Sequence, residues 1–292
     1  MKIGVIGKGG SGKSSTSWML MQAGLQLGYN TWGLDADYNQ HLSHMFGVPN
    51  TSIKALADHR AALTRHVIGA RQDVTIETFD KATLPAKGSN LIVLSVDDPF
   101  LKNFTVSPGE RLHLLRVGEF RDEDKGLRCY HGRTAAADIL LSHLAPLEDK
   151  QLLVVDFTAG VDPFASPIYL KLDAFVLVVE PTLKGIEVVR QWRNLLADTP
   201  VSLLIAGNKL DSDEDETWLA DTLGQPVDLA LSQESALRQG ERGHSIGWGD
   251  LLPGNRSGML DFIGSLPSRL DAENTSKRVA MLNALAERRA SL

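Results

Sequence analysis

Cysteine is almost missing from this chain: Cys129 stands alone among 292 residues. No intramolecular disulfide can form, a reducing compartment is expected, and one thiol is left for a metal or for a contact between subunits. No apolar run approaches the ~18 residues of a transmembrane helix. The sequence also opens without a charged and then apolar leader, which predicts a soluble, unprocessed, cytoplasmic protein. Dense Lys/Arg blocks are lacking and the formal charge is −6, so no nucleic-acid partner is expected.

What is present suffices for a sizeable core: 43% of the residues are apolar, and one domain spanning 1–292 is the simplest reading. Apolar runs bounded by turn residues recur at Ile3 to Ile6, Thr31 to Leu34, Leu91 to Val96, Leu112 to Val117, Leu152 to Val155, Phe175 to Val179 and Leu203 to Ile205. Several are continuous, as strands covered on both faces are. Helical patterns lie between them at Ser14 to Leu27, Thr134 to Leu144, Leu183 to Leu196 and Asp213 to Leu223. This alternation predicts an α/β fold with a doubly wound, mostly parallel sheet and helices on both faces. Residues 47–90 read as a mostly helical insertion, and 241–292 as a glycine-rich loop followed by two helices, 259–270 and 275–289. The last of these carries Val279, Leu282 and Leu285 among basic residues. That apolar face is thin for a membrane-lying helix, and membrane attachment is not expected.

The most informative stretch is Gly7-Lys8-Gly9-Gly10-Ser11-Gly12-Lys13-Ser14, between an apolar run and a helical pattern. Gly-x-x-x-x-Gly-Lys-Ser in that context is a phosphate-binding loop. Its glycines let main-chain N–H groups crowd around phosphate oxygens. Lys13 supplies a point charge, Ser14 a hydroxyl for Mg²⁺, and the following helix start, with Ser15, a favourable dipole. Asp35-Ala36-Asp37 follows the second expected strand, where ligands of doubly wound folds collect. Two carboxylates at that spacing suit magnesium and water positioning, although alone they would read as a solvated turn. Leu152 to Asp156, an apolar strand ending in a carboxylate before Phe157-Thr158-Ala159-Gly160, has the form of a Walker B segment. His41 and His44 read as surface or capping residues.

Taken together, these motifs resemble the deviant-Walker ATPases, the group of MinD, ParA and the nitrogenase iron protein, over roughly residues 1–245. The resemblance implies an ATP- and Mg²⁺-dependent homodimer. In it Lys8 acts on the partner's nucleotide, and Lys8, Lys13 and Asp37 are the catalytic set. Gly9, Gly10, Ser11, Gly12, Lys13, Ser14 and Ser15 bind phosphate, and Ser14, Asp35 and Asp156 hold magnesium. Tyr38 stands where the family has proline. Asn208-Lys209 matches the base-contacting site, while Asn208-Lys209-Leu210-Asp211 also fits the Asn-Lys-x-Asp motif that reads guanine. ATP is the expected nucleotide, because the Lys8 type of loop goes mainly with ATP, and GTP is the alternative.

Arg128-Cys129-Tyr130-His131-Gly132, with Leu115-Arg116-Val117-Gly118 before it, is similar to the CooC-type subgroup that assists nickel insertion into carbon monoxide dehydrogenase. There a Cys-x-Cys pair binds metal between subunits, and here the second cysteine is His131. Both residue types ligate Ni²⁺ and Zn²⁺. The resemblance thus implies a Cys129/His131 site shared across a dimer and a metalloenzyme client. A lone Cys beside a His is also explained as a buried apolar residue next to an unrelated one. The rival function is a positioning or interaction switch without metal, in the manner of ParA and MinD.

Overall fold

The computed structural model describes residues 1–120, 130–160, 162–242, 244–270 and 272–290. Its strands are β1 (Lys2–Gly7), β2 (Asn30–Ala36), β3 (Val106–Gly109), β4 (Leu112–Arg116), β5 (Gln151–Phe157), β6 (Ala174–Val179), β7 (Ser202–Leu210) and β8 (Leu229–Ser232). They form one sheet in the order β3-β4-β2-β5-β1-β6-β7-β8. Every pairing is parallel except the edge hairpin β3–β4. The helices are α1 (Lys13–Gln26), α2 (Leu42–Met45), α3 (Arg60–Ile68), α4 (Tyr130–Ser142), α5 (Leu183–Leu196), α6 (Asp213–Leu223), α7 (Ser235–Glu241), α8 (Pro253–Arg269) and α9 (Ala272–Ala290).

The continuous apolar strands follow from coverage on both faces. In β5, Leu153 and Val155 join one core with Trp32, Leu140, Phe175 and Trp192. Their neighbours Leu152 and Val154 join the opposite core with Trp18, Met21, Phe262 and Ile263. The period of two in β-structure thus divides one apolar run between two layers. The doubly wound α/β expectation holds.

Three local expectations do not hold. Leu91 to Val96 forms no strand beyond an isolated bridge from Ile92 to Leu144. Ile92 and Leu94 are buried there while Leu91, Val93 and Val96 are exposed. The chain turns at Asp98, whose carboxylate accepts the N–H groups of Val93, Phe100 and Leu101 at 2.9 Å each. In 47–90, regular helix is confined to α3 and two single turns, and 69–90 consists of turns and irregular chain. Leu63, Val67 and Phe79 bring this segment into the main core. Residues 241–258 are not one long loop either, because α7 ends at Glu241 and α8 starts at Pro253.

The last helix packs down instead of lying free. Arg278 is buried, and its guanidinium donates to Asp173 Oδ1 at 2.6 Å. Met281, Leu282 and Leu285 lean on the core. Among the described residues no helix is long and apolar enough to cross a membrane.

Lys171 and Asp138 form a fully enclosed ion pair, with Nζ 2.8 Å from Oδ1 and 3.0 Å from the Asp138 carbonyl. It ties α4 to the single-turn helix Pro167–Lys171. Removing one partner leaves an uncompensated buried charge, whereas an apolar pair of like volume does not. Lys171→Met should therefore cost about 3–5 kcal/mol. Asp138→Leu combined with Lys171→Met should recover most of that loss in chemical denaturation. A double variant as unstable as the single one would refute this account.

Candidate functional site

The strand order sets the carboxyl ends of β2 with Asp35, β5 with Asp156 and β1 with its glycine loop side by side, and β7 with Asn208 follows one strand further on, beyond β6. Register places Asp156 beside Val5 on one flank and beside Asp35 on the other. Ligands of open α/β sheets gather at this edge.

After β1 the backbone turns left-handed at Gly10 (φ +81°) and Gly12 (φ +96°). Gly12 caps α1 without help from any side chain, and a Cβ there would collide with Nδ2 of Asn208. The first helical bond runs from the Thr16 N–H to the Gly12 carbonyl, 2.8 Å. The amides of Lys13, Ser14 and Ser15 thus have no acceptor within the helix, and these residues line a cleft of about 1170 Å³. Gly9, Gly10 and Gly12 line it too, while Ser11 is buried beneath the loop. Lys13 is 7% exposed, and its Nζ lies 3.3 Å from the Lys8 carbonyl. Such a cradle with a buried ammonium suits a polyphosphate.

Lys8 is placed differently. It is exposed and lines a separate hollow of about 300 Å³ with Gly160, Gln191 and Trp192.

Asn208 and Lys209 reach the loop from the other side. The Asn208 amide donates to the Ser11 carbonyl at 2.8 Å. Lys209, in the left-handed region at φ +60°, donates to the Gly10 carbonyl at 2.6 Å and to Glu180 at 2.5 Å. Both residues line the cleft and also brace the phosphate loop, a task the sequence did not suggest. Asp211, the guanine-reading candidate, is exposed and lies outside the cleft lining.

The two carboxylates of the strand ends differ in their surroundings. Asp35 is buried, and its oxygens accept N–H groups from Asp37 at 3.1 Å, Gln40 at 3.2 Å and Leu42 at 2.9 Å. Burial, with the charge of Asp156 beside it, holds Asp35 well above the usual carboxylate range. These bonds make Asp35 the centre of its own turn. Asp156 is fully buried, and among the described residues neither of its oxygens has a partner in hydrogen-bond geometry. Burial pushes it up to about 7, with Asp37 adding to the rise and the nearby Ser14, Lys13 and Ser17 opposing it. A buried carboxylate without partners, next to the Ser14 hydroxyl, is a donor set that fits a hard divalent cation such as Mg²⁺. Asp37 is buried at the cleft wall, and its Oδ1 accepts the Asn39 N–H at 2.9 Å.

Cys129 lies outside the described residues, and of His131 only the backbone, in the first turn of α4, is described. Among the described residues no group of three or more His, Cys, Asp or Glu side chains is placed to hold a metal. His41 and His44 line the cleft with Glu234, Arg238 and His244. The α7 side of this lining carries no recognisable motif, so no local pattern announced it.

The orphaned carboxylate has a measurable cost. Between the ordinary carboxylate value of 3.8 and about 7, the native chain keeps a proton on Asp156 that the unfolded chain has lost. Stability without ligand therefore falls as pH rises through that window and levels off above it. Asp156→Asn lacks this dependence. In chemical denaturation without nucleotide its advantage over the wild type should grow by about 2–3 kcal/mol between pH 5 and pH 8. The same difference at both pH values would exclude the explanation.

Comparison with known proteins agrees with this geometry. Residues 3–289 match the model of the CobQ/CobB/MinD/ParA nucleotide binding domain. The carbon monoxide dehydrogenase accessory protein CooC of Rhodospirillum rubrum is 26% identical over 275 residues, which is 92% of this chain and 97% of that protein. A ParA family ATPase from Chlorobium tepidum superposes with a TM-score of 0.59 at 17% identity, covering 90% of this chain and 98% of that one. The septum site-determining protein MinD from Pyrococcus horikoshii, complexed with Mg-ADP, gives 0.57 at 16%, covering 90% and 94%. The chain belongs to the CobQ/CobB/MinD/ParA nucleotide-binding domain family and is an ATPase of it.

Proposed function

We propose that this ATPase is a nucleotide-gated homodimer that delivers nickel to, or helps mature, a metalloenzyme such as carbon monoxide dehydrogenase. The observation that carries the dimer is the separation of the two loop lysines. Lys13 is buried in its own cleft, while Lys8 is exposed against the neighbouring hollow. A cation so placed is of most use to a phosphate presented by a second copy. The cargo rests on the CooC relative and on Cys129 with His131, two residue types that ligate Ni²⁺ or Zn²⁺.

In this reading Gly9 to Ser15 and Lys13 hold the phosphates, and Asp37 orients the attacking water. Asp156 and Ser14 hold Mg²⁺, and Asp35 shapes the turn that carries Asp37 instead of ligating directly. The bound magnesium would neutralise charge developing on the phosphate oxygens. Asn208 and Lys209 contact the base while bracing the loop. ATP is favoured over GTP because Asp211 stands off the cleft. A metal-free switch of the MinD or ParA kind remains the second reading, since the fold serves it equally. Its membrane-bound form is disfavoured by α9, which is pinned through Arg278.

Two experiments test the proposal. Lys8→Ala should keep ATP affinity within about threefold while lowering the hydrolysis rate about 10²-fold or more, as loss of a cation supplied in trans does. Equal losses in binding and turnover would remove the role in trans. Metal analysis of protein loaded with an ATP analogue should find nickel or zinc near one ion per two chains, on the order expected for a shared four-ligand site. Cys129→Ser should abolish it. No retained metal under reducing, metal-replete conditions leaves the metal-free switch.

A further inference from the structure

The geometry points to Gln40 as a positioning residue for hydrolysis: its side chain clasps the Asp35–Asp37 turn to the end of β4 and so sets Asp37. This rests on the reading of Asp37 given above. Gln40 has no exposed surface and lies in the left-handed region at φ +53°. A buried, non-glycine residue stays in that conformation only where its surroundings over-determine it.

Each polar atom of the amide is engaged. Its N–H group reaches the Asp35 carbonyl at 3.3 Å, Asp35 Oδ1 at 3.2 Å and, closest of all, the Asp37 carbonyl. Its Oε1 accepts the Gly118 N–H at 3.1 Å. The main-chain carbonyl of Gln40 accepts from Asn50 at 2.8 Å, and Asn50 accepts from Ser43 in α2 at 2.6 Å. One side chain thus links the turn bearing Asp37 to the strand end at Gly118.

The chemistry of the position narrows what can stand there. Three acceptors on one side and a donor on the other require a group that both donates and accepts. A carboxylate would repel Asp35 and the Asp37 carbonyl, an ammonium could not accept from Gly118, and a hydrocarbon would leave buried polar atoms unpaired. Besides Gln40, the Asp37 main chain has, among the described residues, one side-chain anchor, the bond from its N–H to Asp35 Oδ1 at 3.1 Å. Loss of the clasp therefore frees Asp37 by fractions of an ångström, which matters for positioning a water and not for holding a triphosphate.

The test compares Gln40→Gly, which relieves the backbone while deleting the amide, and Gln40→Glu, which keeps the size and removes the donor. Both should lower kcat about 10- to 100-fold while Mg·ATP affinity stays within about threefold of wild type. A wild-type kcat in Gln40→Gly, or matched losses of affinity and kcat in both variants, overturns the proposal. Hydrogen exchange decides independently of whether either variant folds. In the wild type the Gly118 amide should exchange at least about 100-fold more slowly than an unstructured amide, and exchange at the unstructured rate overturns the clasp. Asp37→Ala is the control. If it hydrolyses ATP at the wild-type rate, the reading of Asp37 fails, whatever Gly118 shows.

Discussion

Two carboxylates, Asp35 and Asp156, end neighbouring strands in register and are both withdrawn from water. Bringing one unpaired carboxyl into such a setting opposes folding, and bringing two together adds their mutual repulsion. The chain answers the two halves of this problem differently. Around Asp35 it folds a turn whose N–H groups converge on the carboxylate from Asp37, Gln40 and Leu42. Around Asp156 it supplies the Ser14 and Ser17 hydroxyls and the Lys13 ammonium at a little distance, against the repelling charge of Asp37. One carboxylate is thereby a structural centre, and the other is poised for a ligand carrying positive charge. Sites that tolerate an unsatisfied buried group are commonly functional ones.

The phosphate loop is restrained from β7. A loop of glycines is entropically costly to hold in one form, and α1 has no capping side chain at its start. Asn208 and Lys209 provide the restraint by gripping the Ser11 and Gly10 carbonyls. Lys209 does so from a left-handed backbone, with Glu180 fixing its ammonium. Asn208 and Lys209 are thus mechanically continuous with the loop, so a group that displaced Asn208 would loosen the cradle as well.

How much of this could be read beforehand follows from the range of each signal. Gly7 to Ser14, Asp35-x-Asp37 and the strand ending at Asp156 are local patterns whose chemistry lies in their own spacing, and the fold assembles them at one edge. Leu91 to Val96 misled because its composition suits a strand, while the decisive fact, that among the described residues only Ile92 finds a bridging partner before the chain turns at Asp98, comes from tertiary contacts. β8 is only four residues long and recruited by β7, so its own sequence carries almost no signal. The bracing by Asn208 and the clasp by Gln40 span 197 and 78 residues of sequence, a separation no local pattern encodes.

That long reach bears on how a nucleotide cycle would be felt beyond the cleft. The turn after β2 is bonded through Gln40 to Gly118, and β4 continues from Val117 into a bond with the Ala57 N–H. Next to Ala57, Asp58 holds Arg133 of α4 at 2.6 Å. From the other direction α4 is fixed through Asp138 to Lys171, downstream of β5. The helix that starts at Tyr130 is therefore anchored on one side to chain packed against the end of β4 and on the other to the single-turn helix Pro167–Lys171. Packed and hydrogen-bonded connections of this kind shift between discrete arrangements more readily than they deform by degrees. α4 is thus held at Arg133 and at Asp138 by bonds that are kept or lost whole.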